Sequence, residues 1–449
     1  MNARERQDID PRPRSAVSAM CGLVGLGALI AWILIARNFA DLAAALGFAG
    51  MPPRADGPYA AMLCVFVTGI PMVLWSVLVD KVHLRPSTGL DWSLRRPLPD
   101  ILDGMIVKLA GYWATWGIIA CLYGIGRWYW APPYDFAMEM IRWAAPLLFA
   151  LSIPYVAWVD RHQIDRRDGA WHFGSFLAGQ PGWEKEEIFH HLRAWAVKGF
   201  FLAFMISIVP GGYAELVNRD FVQAATNPVL FATALIGAMF VVDVQLATFG
   251  YVVTVKPLDS HIRTANPYLA GWLSALMCYP PFLLMHRGGP LDYNVNAADW
   301  AYWFDGNAPL LWAWGMLLVL LTAAYAWATV AFGYRFSNLT HRGILTHGPF
   351  RWTRHPAYVS KNTFWWCATL PFLATSGEVS DMIRNTVLLA GVSAVYYWRA
   401  KTEEKHLMAD PDYQEYWQWM ERNAPLPRLI RRLRKIAPRR STRAALPAE

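Results

Sequence analysis

Long apolar stretches alternate with polar loops along most of the chain. Eight of these stretches are close to the length, about 17–25 residues, that a helix needs to cross a bilayer, and two shorter ones follow them. They lie near 17–36, 58–80, 103–125, 143–159, 195–216, 228–254, 267–286 and 308–332, then near 361–376 and 382–398. The pattern predicts an all-α polytopic membrane protein with about ten transmembrane helices.

The loops between these stretches differ in their basic charge. Every second loop holds several Lys or Arg residues, and the loops between them hold only scattered ones. The basic segments are the N-terminal tail and the stretches 81–96, 161–193, 256–263 and 335–361. Because Lys and Arg are enriched in cytoplasmic loops, we expect both termini to be cytoplasmic. We expect the membrane to be a bacterial inner membrane or, in a eukaryote, that of the endoplasmic reticulum.

Composition agrees with a membrane protein. The chain of 449 residues is 55% hydrophobic and only 16% charged, with 24 Trp and 19 Tyr, whereas an average soluble domain is about 25% charged. The net charge of +8 is explained by anionic lipids beside cytoplasmic loops and does not point to nucleic acid. The five cysteines lie in apolar stretches without metal-ligand spacing, so we expect small buried hydrophobic side chains.

Four segments are predicted. They are a basic N-terminal tail (1–16), a membrane domain of about eight helices (17–332) with an interfacial cytoplasmic loop at 160–195, a cofactor-binding module with a short helical hairpin (333–430), and a basic cytoplasmic tail (431–449). The oligomeric state is left open.

Two features stand out in the membrane domain. Asp243 lies well inside the sixth apolar stretch, where an ionised carboxylate is costly and needs a partner or a cavity. Lys108 and Lys198 are the candidate partners. Cys278-Tyr-Pro-Pro281 interrupts the seventh stretch, because two adjacent prolines remove helix hydrogen bonds. This interruption is either a packing kink or a portal for a lipid.

The densest group of unusual residues begins with the loop that follows the eighth stretch. The loop reads Arg-Gly-Ile-Leu-Thr-His-Gly-Pro-Phe-Arg-Trp-Thr-Arg-His-Pro-Ala-Tyr over 342–358. Its glycines and prolines prevent a continuous helix, and Pro356 suits the first turn of a new one. Free N–H groups at that helix start favour a ligand carboxylate or phosphate.

A second polar group follows the predicted hairpin. On a helix, Arg399 and Glu403 share a face because they are four residues apart, whereas Glu404 points about 100° away. Tyr413 and Tyr416 come next. From residue chemistry alone, Arg399 and Glu403 are either a surface ion pair of little energetic weight or part of a site.

These two groups together resemble the isoprenylcysteine carboxyl methyltransferases and, more widely, the phospholipid methyltransferases. The resemblance covers about residues 335–430 and depends on Arg354-His-Pro-Ala-Tyr358, preceded by Gly-Pro-Phe (348–350) and followed by Arg399, Glu403-Glu404 and Tyr-x-x-Tyr. Two departures are Ser360, where many members have Gly, and Asp410-Pro411 in place of Phe-Gly.

The resemblance implies a methyl transfer from S-adenosylmethionine to a lipid-like acceptor, in a cytoplasmic pocket formed by the loop and the helix. Arg399 would face the acceptor, with Glu404 as a second catalytic candidate, and no metal is implied. The implied cofactor-binding residues are Arg342, Gly343, Ile344 and Leu345 (largely through backbone), Phe350, His355, Pro356, Ala357, Tyr358 and Glu403.

The acceptor group is not decided by the sequence. A carboxylate acceptor is already ionised at neutral pH and needs only a positioning cation, which Arg399 can supply by a bidentate contact. An amine or hydroxyl acceptor must lose a proton, and Glu404 or His355 would then be the base. A prenylated protein, a free isoprenoid acid, a phospholipid and a sterol-like lipid all stay open.

Two other functions compete with methyl transfer. Sterol reductases also resemble ten-span proteins with an Arg-His-Pro-x-Tyr element, but they use NADPH, and their following helix carries Arg-Asp and a Cys. Here Glu403-Glu404 stands instead, and no cysteine follows Cys367. The third possibility is a non-catalytic lipid-binding or transport protein on the same scaffold.

Overall fold

The computed structural model describes residues 12–425 and 427–428 of the chain. Arg4 and Arg6 of the predicted N-terminal tail and the predicted tail at 431–449 lie outside these residues. Within the described part, seven helices have the length and apolar composition to span a membrane. The protein is an integral multi-pass membrane protein.

The long apolar helices coincide with seven of the ten predicted spans. They are α1 (Ala19–Arg37), α3 (Pro58–Leu78), α4 (Leu98–Gly126), α5 (Phe136–His162), α7 (Lys185–Asn218), α9 (Pro228–Val252) and α12 (Ala308–Phe332). The other helices are α2 (Phe39–Ala45), α6 (Gly169–Leu177), α8 (Phe221–Ala224), α10 (Leu269–Leu276), α11 (Trp300–Trp303), α13 (Pro356–Thr369), α14 (Val379–Leu407) and α15 (Pro411–Asn423). Strands β1 (Thr264–Ala265) and β2 (Thr340–His341) form one antiparallel pair.

Helix α9 is central to the bundle and packs against α3, α7 and α12. Small residues allow the closest helix approaches, as is common between membrane helices. A Cβ atom on Gly22 of α1 would lie 1.8 Å from the Val330 carbonyl oxygen of α12. One on Gly111 of α4 would lie 2.0 Å from the Ala170 carbonyl oxygen of α6. A side chain at either glycine would therefore force the paired helices apart.

The predicted seventh span at 267–286 is interrupted, as the proline pair indicated, and its helical part is shorter than expected. The helix there, α10, has eight residues, which is about 12 Å of rise and too short to cross a bilayer alone. Turns follow it because Pro280 and Pro281 supply no backbone N–H to continue the helix. The chain from β1 to Asn296 still reaches the turn between α13 and α14. The Asn296 carbonyl accepts a hydrogen bond there from the Thr375 N–H.

The predicted hairpin at the end of the chain is present as α13 and α14. Its turn lies between Thr369 and Val379 and includes Ser376-Gly377. Helix α13 has 14 residues, or about 21 Å, against the roughly 30 Å of a bilayer core. That the chain crosses the membrane ten times, with both termini on the same side, therefore stays a prediction.

The predicted partners of Asp243 are wrong. Its buried carboxylate accepts hydrogen bonds from the hydroxyls of Tyr325, at 2.7 Å, and Thr329, both on α12. Lys108 instead lies 2.5 Å from Asp160, and Lys198 donates to Thr254. Neutral hydroxyl donors on the neighbouring helix thus satisfy the carboxylate.

All five cysteines are free thiols, as expected. Cys21 and Cys64 are buried in the bundle, whereas Cys121 on α4 is exposed. Burial was therefore predicted wrongly for Cys121, because an apolar stretch alone does not tell which face of a membrane helix meets lipid.

Candidate active site

One cavity brings the predicted loop and the predicted helix together. It holds about 1270 Å³ of empty space, part of it open to solvent. Its wall includes eleven of the twelve residues singled out in the sequence: Arg342, Gly343, Ile344, Leu345, Phe350, His355, Pro356, Ala357, Tyr358, Arg399 and Glu403. Glu404, the twelfth, is not on the wall that the described residues form.

The loop takes its shape from glycine and proline. Gly343 has φ +106°, a conformation that other residues rarely adopt, and a Cβ there would lie 2.5 Å from Ala16. Pro356 is the first residue of α13, as predicted, and its missing N–H costs no helix hydrogen bond. The loop is held against α15, where the Tyr416 hydroxyl donates to the Phe350 carbonyl at 2.6 Å.

Arg342 anchors the loop through its side chain. The buried guanidinium donates to five backbone carbonyls at 2.7–3.3 Å. These carbonyls belong to Gly250, Val253, Ser260, Tyr334 and Phe336. Several lie at the C-terminal ends of α9 and α12, where helix carbonyls otherwise lack partners. Burial, with the charge of Arg335, lowers the pKa of Arg342 to about 9. Because its guanidinium is occupied by these five carbonyls, the side chain is structural and the backbone is left for a ligand.

Arg399 lies deep in the cavity wall with 2% of its surface exposed. Its guanidinium carbon is 5.2 Å from the ring centre of Tyr358, 5.5 Å from that of Tyr279 and 5.9 Å from that of Tyr396. One Nη donates to Asn338, and Nε lies 3.6 Å from a Glu403 oxygen. The predicted shared face of Arg399 and Glu403 is confirmed.

Glu403 is the acidic group on the wall, with 23% of its side chain exposed. One carboxylate oxygen accepts a hydrogen bond from the Tyr358 hydroxyl, and the other lies 3.9 Å from Nδ1 of His355. The His355 ring stacks on Tyr358, with ring centres 5.6 Å apart. Glu403 is thus oriented by the loop but still reaches the open space.

Glu404 belongs to an ion-pair network beside the cavity. Its carboxylate lies 2.9 Å from Arg354 Nε, 3.1 Å from His355 Nε2 and 2.8 Å from Lys401 Nζ. Burial acts to raise the pKa of Glu404, but the hydrogen bonds from His355 and Lys401 and the charge of Arg354 outweigh it and lower the pKa to about 2. A carboxylate of such low basicity is a poor general base.

Several wall residues were missed in the sequence. Asn338 holds Arg399, and buried His341 and His406 lie on the wall beside the strand pair. His406 Nε2 is 2.9 Å from the Thr264 hydroxyl, and burial with the nearby His341 lowers the pKa of His406 to about 4. No spacing marked these residues, because they meet only through β1 and β2.

The comparison with known families bears on this same segment. Residues 311–409 match the Isoprenylcysteine carboxyl methyltransferase (ICMT) family. The resemblance predicted for the C-terminal part is thereby confirmed. The ICMT match spans α12, the loop, α13 and α14, which carry most of the cavity wall. Together with the seven long apolar helices, it indicates an integral membrane methyltransferase. No curated protein and no solved structure matches the chain significantly.

Proposed function

We propose that this protein transfers a methyl group from S-adenosylmethionine to the carboxylate of a lipid-like acceptor at the cytoplasmic membrane face. The observation that carries the proposal is the pairing of Arg399 and Glu403, 3.6 Å apart, on the wall of one cavity. A cation and an anion side by side match an anionic acceptor and a positively charged donor. The ICMT match supports the reaction class.

The cavity wall has polar groups suited to such a cofactor. The space is partly open to solvent, which gives a water-soluble donor a way in. Arg399 Nε and His341 Nε2 lie 3.6 Å and 3.4 Å from the carboxylates of Glu403 and Asp410. Tyr413 Oη is buried without a hydrogen-bond partner among the described residues; buried polar atoms are normally satisfied, so it is a candidate to bind a polar ligand.

S-adenosylmethionine, when bound, supplies a methyl group that its positively charged sulfur already activates. The chain therefore has mainly to hold donor and acceptor in line, which is worth several kcal/mol. Glu403 would hold the donor's charged groups, and the backbone of Gly343 to Leu345 would support it. Arg399 would hold the acceptor carboxylate in the bidentate manner that a planar guanidinium allows.

The protonation states favour a carboxylate as acceptor. Such an oxygen would take the methyl group as the sulfur–methyl bond breaks and its electron pair stays on the sulfur; no proton is released, so no base is needed. Glu404, one of the two candidate bases, is tied to two cations and has a pKa of about 2. An amine or hydroxyl acceptor would leave only His355, which already contacts Glu404.

The lipid character and the cytoplasmic side are supported by other features. The cavity wall continues onto Tyr325, Ala328 and Thr329 of α12, a helix apolar enough to span the membrane. An acceptor with an apolar tail can therefore approach from the bilayer. The loop at 335–361 is one of the basic segments, which the charge bias of membrane proteins assigns to the cytoplasm.

Labelled methyl donor incubated with purified protein and a lipid extract tests the function, with identification of the labelled product. A base-labile methyl ester is the expected product, and a base-stable N-methyl product would contradict the carboxylate. A melting comparison separates the rival reductase, because a ligand of the folded state raises its thermal midpoint. We expect S-adenosylmethionine to raise the midpoint and NADPH to leave it unchanged.

A further inference from the structure

A second large cavity lies beside the candidate active site and has no residue in common with it. It holds about 1200 Å³ of empty space between α4, α5, α6 and α7 and the segment that follows α9. The strand pair separates the two cavities: the Arg263 N–H, on this side, donates to the His341 carbonyl at 2.9 Å. The second cavity lies outside the ICMT-matching residues 311–409.

Four charged groups in this cavity neutralise one another. The buried Lys108 ammonium lies 2.5 Å from Asp160 and 3.1 Å from Asp168. Lys256 lies 3.3 Å from the same oxygen of Asp168. The charges of these two lysines and two aspartates thus cancel. We therefore assign them a structural role and not a role in ligand binding.

Lys198 is a wall cation that does not take part in these ion pairs. It has no acidic partner among the residues that the structure describes; its ammonium donates to the Thr254 hydroxyl and lies 5.1 Å from the Trp195 ring centre. Arg263, also on the wall, is 3.3 Å from Asp259. The remaining wall carboxylate, Glu187, is eleven residues from Lys198 on the same helix, or about 16 Å along its axis.

Neutral donors and aromatic rings complete the wall. His261 Nδ1 is buried without a hydrogen-bond partner among the described residues, and His190, whose ring interacts with the Arg263 backbone and with Glu187, also lies on the wall. Burial and the charge of Lys256 lower the pKa of His261 to about 4, so its ring is neutral at pH 7 and can donate one hydrogen bond. Tyr112 and Tyr155 also line the cavity.

We propose that this second cavity binds a negatively charged phosphate group, with Lys198 as its cation and His261 as a hydrogen-bond donor. An ammonium and a neutral N–H donor in a partly enclosed space suit a phosphate oxygen, since hydrogen bonds to an ion are about twice as strong as neutral ones. The phosphate is either free or the headgroup of an anionic lipid. The proposal is independent of the methyl transfer.

Melting of the full-length protein in detergent tests this site. The probes are inorganic phosphate, short-chain phosphatidylglycerol and, as a lipid without net charge, short-chain phosphatidylcholine. We expect a rise in thermal midpoint with phosphatidylglycerol that exceeds the rise with phosphatidylcholine. A comparable rise with inorganic phosphate shows that the free anion suffices, and no rise with it identifies the lipid headgroup; either result supports the site.

Variants of α7 decide whether Lys198 carries the effect. Lys198→Gln should weaken the apparent affinity for the anionic probe about tenfold, and Lys198→Arg should stay within about threefold of the wild type. Lys185→Gln is the matched control, because Lys185 is exposed on the same helix and is not on this wall. Equal weakening by Lys185→Gln and Lys198→Gln would overturn the proposal. If Lys198→Gln does not fold, equal responses of the wild type to the two lipids would still overturn it.

Discussion

His355 Nε2 lies 3.1 Å from a carboxylate oxygen of Glu404 and joins the start of α13 to the end of α14. The two residues are 49 positions apart in the chain. Arg354 binds the same oxygen at 2.9 Å, so the network closes one side of the candidate active site. Glu404 thereby orients the loop, while its neighbour Glu403 remains available to contact a ligand in the cavity.

Replacing Glu403 by Ala should weaken binding of S-adenosylmethionine at least tenfold, because the wall formed by the described residues would lose its one carboxylate. Isothermal titration of the purified protein measures this affinity. Glu415→Ala, which alters an exposed carboxylate on α15, is the control and should bind as the wild type does. An unchanged affinity in Glu403→Ala would remove Glu403 from the cofactor site.

Arg399→Lys should reduce turnover more than cofactor affinity. Lysine keeps the charge but cannot make a planar bidentate contact with a carboxylate, so we expect turnover to fall at least tenfold while the affinity changes less than threefold. Turnover at saturating cofactor and a separate titration distinguish the two. Arg351→Lys, at an exposed residue, is the control. Equal damage to both quantities would refute the division of roles between Arg399 and Glu403.

Glu404→Gln tests whether Glu404 is a base. We expect lower thermal stability, because Arg354 loses a partly buried charged partner, and turnover within about tenfold of the wild type. The pH profile of turnover should keep its shape. A loss above a hundredfold, with cofactor binding and stability intact, would instead assign proton removal to Glu404 and favour an amine or hydroxyl acceptor.

Arg342→Lys should destabilise the fold without a specific effect on the cofactor. An ammonium has three donors, so at least two of the five carbonyls would lose their partner, at about 1–3 kcal/mol each. We expect the free energy of unfolding to fall by about 2–5 kcal/mol, which melting in detergent records as a lower midpoint. An unchanged midpoint would contradict the anchoring role of this side chain.

Acid should destabilise the protein through His406. Its pKa is about 4 in the folded state against an ordinary 6.5, so the unfolded chain takes up a proton first. Stability is therefore complete above about pH 6.5 and falls as the pH drops toward 4, by up to about 3 kcal/mol for this residue. Melting midpoints measured over this range in the wild type and in His406→Gln check the effect. An identical slope in both would exclude His406 as a source.

The hairpin and the two polar groups were predictable because their signals are local. Pro356 begins α13, and Arg399 and Glu403 share a face of α14, since four residues make about one helical turn. The proline pair marked the interruption of the stretch at 267–286, but the eight-residue length of α10 was not predictable, because apolar length does not tell where a helix ends. Asp243 found hydroxyl partners on α12 and not the predicted lysines, because helix neighbours are set by packing.

The sequence by itself determined that this is a membrane protein and where most of its long helices lie, because apolar length and helical period are properties of contiguous residues. It also determined the family resemblance and the residues that carry it. Only the tertiary structure decided which polar groups share a cavity: it joined Arg399 to Asn338, placed Glu404 among cations, and enclosed Lys198 in a second cavity. Those contacts link residues far apart in the chain, and their partners are chosen by helix packing, which no short pattern encodes.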